Sequence, residues 1–208
     1  MSATLAYVPP RYLTCAETAK LVRAALKQEF PGQKFSVRSD TYSGGASIDV
    51  SWTDGPTAKS VDAVVGVFAG ADFDGSIDLK THTRHWLNPD GSVTVAHAQG
   101  TEGSRGYLPE IIGDPQHPSA QLVSFGADFV FTHREISDEW RDEILDHFET
   151  VIGRTLGDRD GWTLWQTQVP LRVRGGYGDD AGELLHMREE DGDDLSSVFH
   201  QYAGFRTR

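Results

Sequence analysis

The apolar residues of this chain recur with two different periods, and the order in which those periods alternate limits what it can fold into. Val22, Ala25, Leu26 and Phe30 fall at helical spacing. They are preceded by Thr14-Cys15-Ala16-Glu17, in which a Thr hydroxyl caps a helix while Glu reaches back, and followed by the helix-stopping pair Pro31-Gly32. The period then changes to two. Phe35 and Val37 alternate with Ser36 and Arg38, and Ile48, Val50 and Trp52 alternate with Ser47, Asp49 and Ser51. Two half-buried strands are predicted, joined as a hairpin through Tyr42-Ser43-Gly44-Gly45-Ala46.

The pattern repeats downstream. Thr53-Asp54-Gly55-Pro56-Thr57 leads into a second helix carrying Val61, Val64, Val65 and Phe68, with Gly70 as its expected C-terminal cap. A second hairpin is predicted where Asn88-Pro89-Asp90-Gly91 separates His85-Trp86-Leu87 from Val93-Thr94-Val95. Residues 99–119 lack periodicity and read as a long loop. Leu122 to Phe131 is β-rich, and Ser137 caps a third helix with Trp140, Ile144, Phe148, Val151 and Ile152 on one face and Gly153 as its stop. A further strand from Trp162 to Val173 and a short helix from Asp193 to Tyr202 complete the expectation. Helices alternating with hairpins give an α+β fold: an antiparallel sheet built from hairpins, with two or three packed helices in a single domain.

Composition narrows the class. Cys15 is the lone cysteine, so an internal disulfide and a cysteine zinc site are both excluded, and a reducing, cytoplasmic compartment is expected. The longest apolar runs fall short of a membrane span, so no membrane partner is expected. Nineteen basic residues against thirty-one acidic ones leave a formal −12, which opposes a dominant phosphate-binding face. The first forty residues are nonetheless net basic, with six cations against three acids.

Ser36 to Gly45, Ile48 to Thr57, Trp86 to Val93 and Gly126-Ala127-Asp128-Phe129-Val130-Phe131 resemble, in collinear order, the large polyvalent protein associated domain 29 family over residues 10–136. The resemblance implies a gene of phages, conjugative plasmids or integrated elements that helps the element establish itself in a new host, and no known reaction; a non-enzymatic accessory protein is the expectation. It defines no catalytic residue and no cofactor. Residues 137–208 are expected to form an acidic helix, strand and tail on the same domain.

Three sets of residues merit a functional reading. Glu139, Asp142, Glu143, Asp146 and Glu149 make the third helix acidic, a surface suited to a host protein or a nucleic-acid-targeting defence complex, as in a counter-defence (anti-CRISPR) inhibitor. Lys20, Arg23 and Lys27, with Arg38 and Tyr42, suit a single-stranded nucleic acid by pairing cations with a stacking ring. Asp74, Asp78, His82, His85 and His97 offer the donor types of a divalent-metal hydrolase. Ordinary solvation of a helix face or a polar loop accounts for each set without function. Cys15, in the first turn of a helix, is a position where the dipole lowers a thiol's pKa.

Overall fold

The computed structural model describes residues 9–98, 113–152, 155 and 159. The order of elements is β1 (Arg11–Leu13), α1 (Cys15–Glu29), β2 (Ser36–Tyr42), β3 (Gly45–Thr53), α2 (Ala58–Val65), β4 (Ala71–Asp74), β5 (Leu79–Leu87), β6 (Val93–Ala98), β7 (Gln121–Phe125), β8 (Phe129–Glu135) and α3 (Asp138–Ile152). This is the α+β class that the alternating periods predict. No helix among the described residues is long and apolar enough to cross a membrane. The expected strand at 162–173, the helix at 193–202, Gly153 and most of the 99–119 loop lie outside the described residues.

The chain forms two compact units, Met1–Trp52 with Lys59–His133, and Thr53–Ala58 with Arg134–Arg208. In the first, a five-stranded sheet runs β1-β7-β5-β4 with β6 also paired to β5, and a three-stranded sheet runs β2-β3-β8. The β2–β3 and β5–β6 hairpins are antiparallel, as their turn residues require. β1 pairs with β7 in parallel, Arg11 facing Val123, a contact that no local pattern announces.

α1 begins where its capping box predicts. Thr14 Oγ1 accepts from the Glu17 N–H at 3.3 Å, and the Thr14 N–H donates to Glu17 Oε2 at 2.8 Å. That second bond, first among its causes, lowers the Glu17 pKa. The apolar stripe of α1 buries Ala19, Val22 and Leu26, each Leu or Val gaining roughly 1.5–3 kcal/mol relative to exposure. Beyond the Pro31-Gly32 turn, Phe35 stacks between Phe30 and Trp52 at centroid distances of 5.8 and 5.6 Å. Ile48, Val50 and Trp52, the apolar face of β3, are all buried.

Three local expectations need correction. The helical pattern through Phe68 is α-helical only to Val65, tightens to a 3-10 turn over Gly66–Phe68 and stops at Ala69, which is extended. Gly70 is therefore not a cap. Any side chain there would strike the Phe125 carbonyl, so glycine serves close backbone approach. Asp72–Asp78, read as a polar loop, instead closes a β4–β5 hairpin. The β-rich run from Leu122 to Phe131 is two strands in two different sheets, broken at Gly126-Ala127-Asp128.

Within the second unit, α3 is capped as its sequence implies, Ser137 Oγ accepting from the Trp140 N–H at 3.2 Å. Trp140, Ile144 and also Leu145 are buried. The side chains of Phe148, Val151 and Ile152 lie outside the described residues. Asp54, in a left-handed conformation (φ 56°), accepts from the Ser137 N–H at 2.8 Å and the Ser137 hydroxyl at 2.7 Å. Arg134 donates to the carbonyls of Asp54 and Gly55 and lies 4.8 Å above the Trp140 ring. Burial lowers the Arg134 pKa.

Candidate interaction surfaces

The three residue sets fare differently once placed in the fold. The metal set is dispersed. Asp74 turns back on its own hairpin, its carboxylate accepting from the N–H and the hydroxyl of Ser76 at 3.0 and 2.5 Å. His82 is exposed on β5, whereas His85, three residues on, is 2% exposed and stacked on Phe125 at 4.8 Å. His97 stands opposite Arg84, and Asp78 holds a left-handed turn position. No group of three or more His, Cys, Asp or Glu among the described residues is placed to hold a metal ion. The expectation of a metal centre is corrected here, because β5 carries its two histidines to opposite surroundings.

His85 is instead a core residue. Burial, with no compensating charge, pushes its pKa down to about 4, and its Nδ1 finds no hydrogen-bond partner among the described residues. Cys15 is likewise closed in. Its thiol donates to the Ser47 carbonyl at 3.4 Å, and burial, then the nearby Asp128 charge, pushes its pKa up rather than down. The helix-dipole argument for a reactive thiol fails because α1 buries its own first residue.

The basic set divides between two elements. Lys20, Arg23 and Lys27 all lie exposed along α1, three and seven residues apart on one face, and Arg23 donates to the Val37 carbonyl at 2.6 Å. Arg38 and Tyr42 are exposed four residues apart, on one face of β2. Arg38 is cross-strand to Asp49, which also lies 3.5 Å from His133, so that face is not uniformly cationic.

The acidic set is organised by a residue that sequence reading missed. Glu139, Asp142, Glu143 and Asp146 are exposed and Glu149 is half-buried. The Arg159 guanidinium lies 3.6 Å from Asp142 and 3.0 Å from Glu149, and hydrogen-bonds Asp146. The hydrogen bonds that Arg159 donates to Asp146 and then to Glu149 hold its guanidinium above its ordinary pKa. Arg141 donates to the Arg159 carbonyl, fixing the backbone of this clasp. Surface pairs of this kind contribute about 0–1 kcal/mol each, so their effect is chiefly to order the carboxylates. No motif places Arg159 opposite α3; only the carboxylate spacing of four and three residues hints at a shared cation.

The Gly126-Ala127-Asp128 break is the third centre. Its backbone is tied residue by residue to three elements: Gly126 N–H to Leu13 O at 2.7 Å, Asp128 N–H to Ala46 O at 2.7 Å, and the N–H groups of Gly70 and Ala71 to the carbonyls of Ala127 and Asp128 at 2.8 and 3.1 Å. The Asp128 carboxylate accepts from Lys80 Nζ at 3.0 Å and from the Ala46 N–H at 3.3 Å, while Lys80 also donates to Gly44 O at 3.1 Å. A side chain at Gly45 would strike Asp128 Oδ2. Tyr42 to Gly45 and Gly126 to Asp128, distant in sequence, thus meet through Lys80. A carboxylate inside a β-rich run was the available signal for a half-buried ionic tie.

A family model for the large polyvalent protein associated domain 29 matches residues 13–137. The chain belongs to this family. The match ends at Ser137, the cap of α3, so the polyvalent-protein domain includes the Asp128 junction and the Asp54–Ser137 contact, whereas the Arg159 clasp follows it. Neither a curated protein nor a solved structure matches the chain.

Proposed function

We propose that this polyvalent-protein domain chain is a non-enzymatic accessory protein of a mobile element that binds a host protein, of the kind found in nucleic-acid-targeting defence complexes, through its acidic second unit. The observation that carries the reading is the segregation of charge. The second unit holds eighteen acidic and nine basic residues, whereas the first holds thirteen and ten. On α3 the clasp sets Asp142, Asp146 and Glu149 in a row, about 10 Å long at 1.5 Å per residue. Such a row suits a lysine- and arginine-lined groove that otherwise receives phosphates, where complementary charge favours rapid encounter and selects the partner.

The test is capture by the tagged full chain from a nuclease-treated bacterial lysate at low and high salt. A stoichiometric protein that dissociates at high salt is expected, and Asp142→Lys with Asp146→Lys and Glu149→Lys should abolish its recovery. Unchanged recovery with the reversed helix refutes the acidic-face reading. One observation favours a second reading: Lys20, Arg23 and Lys27 remain exposed on one face of α1. Salt-sensitive binding of single-stranded DNA, lost when all three become Glu, is its signature, and no binding at low salt eliminates it.

A further inference from the structure

The β4–β5 hairpin outruns the sheet that carries it. β5 pairs with β4 through Leu79 to His82, but its pairing with β6 begins at Thr83 and that with β7 at His85. Among the described residues, 71–82 therefore form a two-stranded ribbon. Its base is fixed, by the Ala71 N–H on Asp128 O and by Lys80 on Gly44 O and the Asp128 carboxylate.

Beyond that base the ribbon exposes apolar side chains at unusual density. Phe73, Ile77 and Leu79 are 50, 54 and 44% exposed. Phe73 is cross-strand to Lys80 and Leu79 to Asp74, so Phe73 and Leu79 project from opposite faces, with Ile77 in the turn between them. A flat partner reaches one face of such a ribbon, whereas a groove covers both faces and the tip. Asp72, Asp74 and Asp78 interleave with the three apolar residues.

From this arrangement we propose that the β4–β5 hairpin is a plug that enters an apolar groove rimmed by lysine and arginine on a partner protein. Charge selects that occupant. Phosphates of nucleic acid or an anionic bilayer meet three carboxylates, and a second copy of the ribbon brings like charges together. A basic rim around an apolar floor complements both features at once. This site lies in the first unit and is independent of the acidic helix.

A direct test uses the full chain with a photo-cross-linking benzophenone in place of Phe73, or of the exposed Phe131 on β8 as a control. The probe is a peptide of two linked helices with leucine lining the groove between them and lysine along its rims; a second peptide has serine in place of leucine. Cross-linking of the leucine peptide from position 73 is expected. It should fall at least tenfold with Ile77→Ser and Leu79→Ser, or with Asp72→Asn, Asp74→Asn and Asp78→Asn, in variants whose circular dichroism and urea midpoint match the parent. It should persist with Asp142→Asn, Asp146→Asn and Glu149→Gln, which separates this site from α3. Equal cross-linking from position 131, or equal capture of the serine peptide, overturns the proposal. Capture of anionic vesicles, or a dimer in sedimentation that the serine variants dissolve, replaces it with a membrane or a second copy.

Discussion

Acid should unfold this protein partly through one histidine. His85 is 2% exposed, and its pKa falls from an ordinary 6.5 to about 4 because burial penalises the imidazolium. A folded pKa below the unfolded one means that the unfolded chain takes up the proton first. The contribution is thus fully present above pH 6.5, declines as pH falls through the window between 6.5 and 4, and is lost below it. At about 1.4 kcal/mol per tenfold change in proton affinity, the full loss is roughly 3 kcal/mol, a large part of a typical domain's 5–15 kcal/mol. His85→Leu keeps a similar volume beside Phe125 and removes both the proton site and the unpartnered Nδ1. Urea denaturation followed by tryptophan fluorescence, at steps from pH 7.5 to 4, measures the difference. The parent should lose roughly 3 kcal/mol more than the variant across that range, since titration of the carboxylates is common to both. Parallel curves for the two proteins would show that His85 is hydrated or charged in the folded state, and would refute the assignment.

Two further outcomes follow from the hydrogen bonds. Ser137→Ala removes the α3 cap and should cost about 1 kcal/mol, and Asp54→Ala should cost more, because it loses two hydrogen bonds and places alanine at φ 56°; a neutral Asp54→Ala in urea denaturation contradicts the capping role. The Cys15 thiol, closed in and with a raised pKa, should react with a disulfide reagent far more slowly in the native protein at pH 8 than in urea; equal rates would show that the first turn of α1 opens freely.

Among these sites, the caps and turns were legible and the ionic ties were not. Thr14 and Glu17 are three residues apart, so their mutual hydrogen bonds are written in the local spacing. Arg159 and Asp142, or Lys80 and Asp128, are joined only after intervening chain has folded, and nothing near either residue specifies the partner. His85 illustrates the reverse error. Beside His82 and Asp78 it reads as a ligand, yet it follows the buried Thr81 and Thr83 in the alternation of β5 and so enters the core.

The amino-acid sequence by itself determined the α+β class, the start of α1, the β2–β3 and β5–β6 hairpins, the capped α3 and the family, because each depends on residues close in the chain or on collinear motifs. The tertiary structure alone decided that β1 lies parallel to β7, that 71–82 is a ribbon rather than a loop, and that the run from Leu122 to Phe131 is shared between two sheets. Strand pairing is settled by partners far away in sequence. Gly126, Ala127 and Asp128 are weak strand formers inside a β-rich run, but it is Leu13, Ala46, Gly70 and Ala71 that claim their backbone groups and turn the chain from one sheet to the other.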